Sequence, residues 1–202
     1  LSYAQKILAL SDEMETRLSE MTGEMRGPLL VGASTTIAEF MLPRVLGEFN
    51  ALYPQVRARL IVANSESIEN RVAEHTIDVG LIEVPAKLGG LNSHICCEDE
   101  LRVICAPDYP LAGMEAVTPK ALEDYEFISR EPGSGTREIT DAYFRRHHVA
   151  PENLKMQMEL GSPEALKGVV STGLGFAIVS RAVVDKELQL GELAAIPLNP
   201  PL

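Results

Sequence analysis

Four short stretches place hydroxyl or amide side chains where an apolar, strand-like run gives way to a helical pattern. They are Ser34-Thr35-Thr36 after "LLVGA", Asn64-Ser65 after "VRARLIVA", Ser134-Gly135-Thr136 after "YEFIS", and Gly161-Ser162 ahead of Pro163. Side chains of this kind satisfy the free N–H groups of a first helical turn, so each junction alone reads as a helix cap. Four of them at one sheet edge would do more. Hydroxyls and helix N-termini facing one cleft form a neutral, donor-rich site for a small anion. Arg130 and Arg137 bracket the glycine loop "EPGSG". Ion-pair or surface roles are the simplest for both, although a guanidinium beside a helix start also suits an anionic ligand, and Arg137 joins the candidates on that ground.

Other chemistries lack their residues. "GSGTRE" does not end in the Gly-Lys-Ser/Thr of a phosphate-binding loop, no G-x-G-x-x-G follows the first strand, and "EPGSGTRE" is not the G-x-S-x-G of a catalytic serine. Ser134 has no evident base, because His147 and His148 lie about three turns further along the same helical pattern. Glu98, Asp99 and Glu100 read as a solvated run. Glu83 follows the third strand at the edge of the expected cleft, but nothing pairs two carboxylates as acid and base. No histidine or cysteine spacing suits a metal, so neither a metal nor a cofactor is expected. Three cysteines, two of them adjacent, suit a reducing compartment rather than a disulfide framework. The alternation of "HICCEDELRVICAP" predicts that Cys96, Cys97 and Cys105 are buried structural thiols.

The elements that must position these groups follow from periodicity. Tyr3, Ile7, Leu10, Met14, Leu18, Met21 and Met25 recur at spacings of three and four, which predicts a long helix over 1–26 with one apolar face, suited to pairing with another chain. From Pro28 onward, short apolar strands alternate with helical patterns, the sequence form of β-α-β units. Two α/β lobes are expected, 27–105 and 106–197, with 198–202 returning to the first lobe. At 202 residues and 46% apolar, the chain is long enough to bury a substantial core. Its formal charge of −11 opposes binding to a phosphate backbone, so this segment is not expected to hold DNA by itself. No run has the length of a membrane span and no secretory pattern opens the sequence, so a cytoplasmic location is expected.

The order of motifs resembles the effector-binding region of LysR-type transcriptional regulators. The resemblance rests on "LPRVLGEFNALYP" (42–54), "DVGL" (78–81), "EPGSGTR" (131–137) and "GLG" (173–175), and it covers essentially the whole chain. It implies an α/β fold of the type 2 periplasmic-binding-protein class, with two Rossmann-like lobes, two crossovers and an effector between them, preceded by a linker helix that dimerises. It also implies that the loops at Ser34 to Thr36, Asn64-Ser65 and Ser134 to Thr136 meet the effector. "NSESIENRV", "DELRVICAP" and "MELGSPEALK" are similar to the branch linked to sulfur assimilation and sulfite sensing, whereas "EPGSGTR" is shared with regulators that sense phosphometabolites.

The resulting expectation is a non-enzymatic sensor of a small anionic effector. Sulfite or sulfate comes first, and a small phosphorylated or carboxylated metabolite is the runner-up. The chain is expected to form a homo-oligomer, dimer or tetramer, with no membrane partner, and DNA is reached only through a preceding helix-turn-helix domain. A secreted solute-binding protein of the same fold is the first alternative, and an enzyme on the same scaffold is the second.

Overall fold

The structure, a computed structural model, describes Ile7, Met14 and residues 25–202. Apart from Ile7 and Met14, which are helical and exposed, the helix expected over 1–26 lies outside the described residues. In the first lobe β1 (Gly27–Ser34) is flanked by β2 (Val56–Ala63) and β3 (Val79–Leu81), all parallel. The register sets Ser34 opposite Ala63, so the loops that leave β1 and β2 emerge side by side at the carboxyl edge of the sheet. Ligands of open parallel sheets bind at this edge.

The helical pattern after β1 divides in two. Ile37–Met41 forms a π-helical turn, closed by Leu42 N–H donating to the Ile37 carbonyl, and α1 (Leu42–Leu52) continues from it. Pro43 has no N–H to give to the turn before it, so a wider turn ending just ahead of the proline leaves fewer groups unpaired. Beyond β2, α2 (Ser65–Ala73) packs Ile68 beneath the sheet.

The second lobe is a mixed sheet. Its β4 (Leu101–Cys105) runs antiparallel to both β7 (Ala177–Ser180) and β8 (Ala194–Ile196). The parallel pair β5 (Glu126–Arg130) and β6 (Lys155–Leu160) joins it through a bridge between Phe127 and Phe176. Alternation along β4 sorts its side chains onto two faces, as a strand covered on both sides requires. Val103 and Cys105 pack with Phe127, Tyr143, Phe144 and Phe176, while Ile104 packs with Ile128, Leu166 and Val170. The covering helices are α3 (Gly135–Arg146), α4 (Pro163–Ser171) and α5 (Asp185–Leu190). Among the described residues the first lobe has a smaller cluster of Val31, Ala33, Ala38 and Leu42, with Ile68 and Ile77 buried on the opposite face of its sheet.

The pairing corrects three expectations. The lobe boundary falls before β4 rather than after residue 105, because β4 is the central partner of β7 and β8. Residues 198–202 stay with the second lobe: Leu198 bridges Val117, Leu202 packs on the same core, and the Tyr143 hydroxyl donates to the Pro200 carbonyl at 2.5 Å. Among the cysteines, Cys105 alone is buried. Residues 91–100 pair with no strand, so their alternation has no sheet face to fill, and Cys96 and Cys97 are exposed.

Candidate functional site

The hydroxyls of Ser34, Thr36, Ser65, Ser134 and Thr136 belong to residues no more than 4% exposed, and Gly135 is buried among them. Thr35, Asn64, Arg137 and Ser162 are half-buried. Three of these junctions are helix caps. Asn64 Oδ1 accepts from Ser67 N–H at 2.9 Å on α2, Ser134 Oγ from Arg137 N–H at 3.4 Å on α3, and Ser162 Oγ from Ala165 N–H at 3.4 Å on α4. The other hydroxyls differ. Ser65 donates to Glu83 Oε2 at 2.5 Å, and Thr36 Oγ1 receives Arg130 Nη1 at 3.5 Å. Ser34 Oγ is buried with no hydrogen-bond partner among the described residues. A buried hydroxyl is costly to leave unpaired, so Ser34 Oγ is a polar group available to a bound water or ligand.

The two lobes meet at this edge. Asn64 Nδ2 donates to the Pro132 carbonyl at 3.2 Å, and Glu66 N–H donates to the Gly133 carbonyl at 3.2 Å. The glycines of the loop permit the approach. Gly133 has φ +84°, and a Cβ on it would stand 2.8 Å from Asn64 Nδ2. A Cβ on Gly135 would stand 2.6 Å from Glu83 Oε2 and 2.8 Å from Ser65 Oγ. The second and third junctions are thereby brought into contact, and the first reaches the same loop through Thr36 and Arg130. The fourth touches it only through its backbone, since the Gly161 carbonyl accepts from Arg130 Nη2 at 3.3 Å while the Ser162 hydroxyl serves its own helix.

The buried cation at this edge is Arg130 rather than Arg137. Arg130, 5% exposed, ends β5 at the cleft floor; Glu131 takes its Nε and Nη2 at 2.9 and 3.1 Å, and Nη1 is turned to Thr36. Arg137 points elsewhere, bonding the Arg130 carbonyl at 3.0 Å and pairing with Glu159 and Asp141. No sequence signal separates the two. Their difference lies in one ending a strand at the carboxyl edge and the other lying one turn into a helix. Glu83 is likewise drawn in, as the acceptor among donors.

Behind the cleft, Lys167 on α4 is buried against Glu164 (2.8 Å), Glu187 (2.7 Å) and the Val183 carbonyl (2.9 Å). Its ammonium lies 5.0 Å from the Phe40 ring centroid, which joins α4 to the π-helical turn of the first lobe. Burial pushes this ammonium down, but hydrogen bonds to Glu164 and Glu187 outweigh it and hold the group above the usual lysine value. Burial raises the Glu187 carboxyl, but the Lys167 hydrogen bond, a backbone hydrogen bond and the charges of Lys167 and Lys186 together outweigh it and leave the group below the usual carboxylate value.

Residues 22–202 match the family model described as the LysR substrate binding domain. The chain belongs to the LysR family of transcriptional regulators. A probable RuBisCO transcriptional regulator from Nostoc sp. is 33% identical over 202 residues, covering 98% of this chain and 60% of the relative. The HTH-type regulator YeiE of Escherichia coli K12 is 38% identical over 200 residues, covering 98% of this chain and 66% of that protein. The LysR chain therefore spans between about half and two thirds of the length of its curated relatives, which are named as regulators and not as enzymes. A structure of the Synechocystis CcmR regulatory domain in complex with 2-PG superposes with a TM-score of 0.79 at 34% identity, covering 87% of this chain and 83% of that one. The two-lobed LysR fold of the type 2 periplasmic-binding-protein class is shared with it.

Proposed function

We propose that the cleft of this LysR domain binds a small phosphorylated or carboxylated anion, and that binding fixes the relation of the two lobes so that a preceding DNA-binding domain changes its hold on an operator. The unpartnered Ser34 hydroxyl, buried two residues from the Thr36 hydroxyl that meets Arg130, carries the reading. It supplies an unused polar group two residues from the hydroxyl that meets a buried cation, at a sheet edge where the starts of α2 and α3 also converge. Anions gain most where charge-assisted hydrogen bonds form away from water. The chain acts as a cytoplasmic homo-oligomer in this reading.

The choice of anion follows the relatives. CcmR, a third identical, has been captured with 2-phosphoglycolate, and a phosphorylated carboxylate suits the hydroxyl and helix-start donors of the junctions here. Sulfite and sulfate, placed first on sequence motifs, have no support among the relatives and become the comparison ligands. Micromolar affinity needs about 8 kcal/mol net, which four or five charge-assisted hydrogen bonds supply after ordering costs. Calorimetry with 2-phosphoglycolate, phosphate, sulfate and sulfite tests this. Micromolar binding of the phosphorylated compound, weakened by Thr36→Ala, is the expected result. Failure of every oxyanion below millimolar removes the proposal.

A further inference from the structure

Glu83 stands at an unexpected place for a carboxylate. It takes the Ser65 hydroxyl at 2.5 Å, and its Oε2 occupies the space that a side chain on Gly135 would need at the start of α3. A helix start and a buried serine are donors that an incoming oxyanion would use, and here a tethered carboxylate already takes the serine hydroxyl and lies against the helix start. Its other oxygen, Oε1, has no hydrogen-bond partner among the described residues. An anion entering beside a fixed carboxylate meets repulsion unless the contact between them carries a proton. A site with an acceptor so placed rejects a ligand that cannot donate, because the pair is then left as two facing lone pairs.

We propose that Glu83 is a specificity-determining residue that selects an effector carrying a proton donor next to its anionic group, either a hydroxyl or a protonated oxyanion oxygen, and discriminates against oxyanions with no proton. This rests on the oxyanion reading of the cleft and refines it. Inorganic phosphate keeps at least one proton near neutral pH, and phosphate monoesters, whose last ionisation falls at about pH 6, keep theirs in part. Sulfate, of the same shape, does not. Ser65 and the α3 start then serve the ligand and Glu83 in common, and Arg130 and Thr36 supply the positive side.

Inorganic phosphate and sulfate are the probes, measured by calorimetry at neutral pH and constant ionic strength on the chain as it stands and on Glu83→Gln, a substitution of nearly equal shape. The wild-type chain is expected to prefer phosphate by at least about tenfold, and Glu83→Gln to erase that preference chiefly by gaining sulfate affinity. Equal wild-type affinities for the two ions overturn the selectivity while leaving oxyanion binding intact, and this readout does not depend on the variant folding. A Glu83→Gln chain that loses both ions in the same proportion also overturns it, since Glu83 would then only hold Ser65 in place. Absence of binding by either ion or by 2-phosphoglycolate sinks the oxyanion reading, and the selectivity with it.

Discussion

Asn64 and Pro132 join the two lobes through one hydrogen bond, 3.2 Å from the carboxamide nitrogen to the carbonyl, while the oxygen of the same carboxamide caps α2. One side chain thus has a folding task and a closing task, each carried by a different atom. Asn64→Asp keeps the capping oxygen and removes the donor; it should leave the melting temperature close to wild type yet weaken the effector by about fivefold or more. Asn64→Ala removes both and should also cost about 1 kcal/mol of stability. Paired calorimetry and thermal melts on the two variants check the division, and equal stability loss in both contradicts it.

Arg130 is the buried cation of the cleft, so Arg130→Met should abolish oxyanion binding within the range calorimetry reads. It should also lower stability, because Glu131 and the carbonyls of Leu160 and Gly161 lose their donor. Arg137→Met, which removes the partner of Glu159 and Asp141 outside the cleft, should leave affinity within about twofold. Parallel titrations of the two variants separate them.

Ser134→Ala removes a helix cap and should cost about 1 kcal/mol in chemical unfolding. Thr36→Ala should cost less in unfolding but about 1 to 3 kcal/mol in binding, since its hydroxyl faces Arg130. If the two variants show the same profile in both assays, the hydroxyls are not divided in this way.

The pair Lys167 and Glu187 gives stability a direction with pH. Because the folded-state value of Glu187 lies below its ordinary 4.5, its contribution is in full force above that value and is lost as pH falls through the lower one. Lys167, held above 10.5, contributes below that value and loses its contribution as alkaline pH passes the raised one. Melting temperatures from pH 7 downward should therefore fall less steeply for Glu187→Gln than for wild type, measured by scanning calorimetry.

Thiol reactivity should divide two to one. Cys96 and Cys97 lie exposed, whereas Cys105 is 0% exposed and burial pushes its thiol up to about 11. A maleimide should label the adjacent pair under native conditions and Cys105 only after unfolding, as mass spectrometry of the labelled chain reads directly.

The alternation of strands and helices was legible because hydrophobic period is a local property, and so were the caps at Asn64, Ser134 and Ser162, whose chemistry acts within three residues. What escaped depends on partners distant in sequence. Arg130 and Arg137 look alike until Thr36, 94 residues from Arg130, supplies the cleft side of one of them. Glu83 was legible at the end of the third strand, yet its engagement with Ser65, 18 residues away, depends on the end of β3 and the start of α2 standing side by side. The exposure of Cys96 and Cys97 shows the same limit from the other side, for an alternating pattern is buried only where a sheet receives it. The early end of the first lobe had the same cause, since the direction of β4 is fixed by β7 and β8, strands that come more than seventy residues later.

The unequal cores of the lobes have a kinetic consequence. Among the described residues the second lobe holds two large clusters of packed aromatic and aliphatic side chains, and the first a smaller one around Val31 and Leu42, with Ile68 and Ile77 on the other face of its sheet. Local opening costs least where least apolar surface is buried, so amide protons of β1 to β3 should exchange with solvent well before those of β4 and β7. A bound anion clamps the looser unit to the firmer one and slows exchange mainly in the looser. Effector occupancy would then be felt first as a change in how often the first lobe opens, with the second lobe acting as the fixed frame against which that opening is timed.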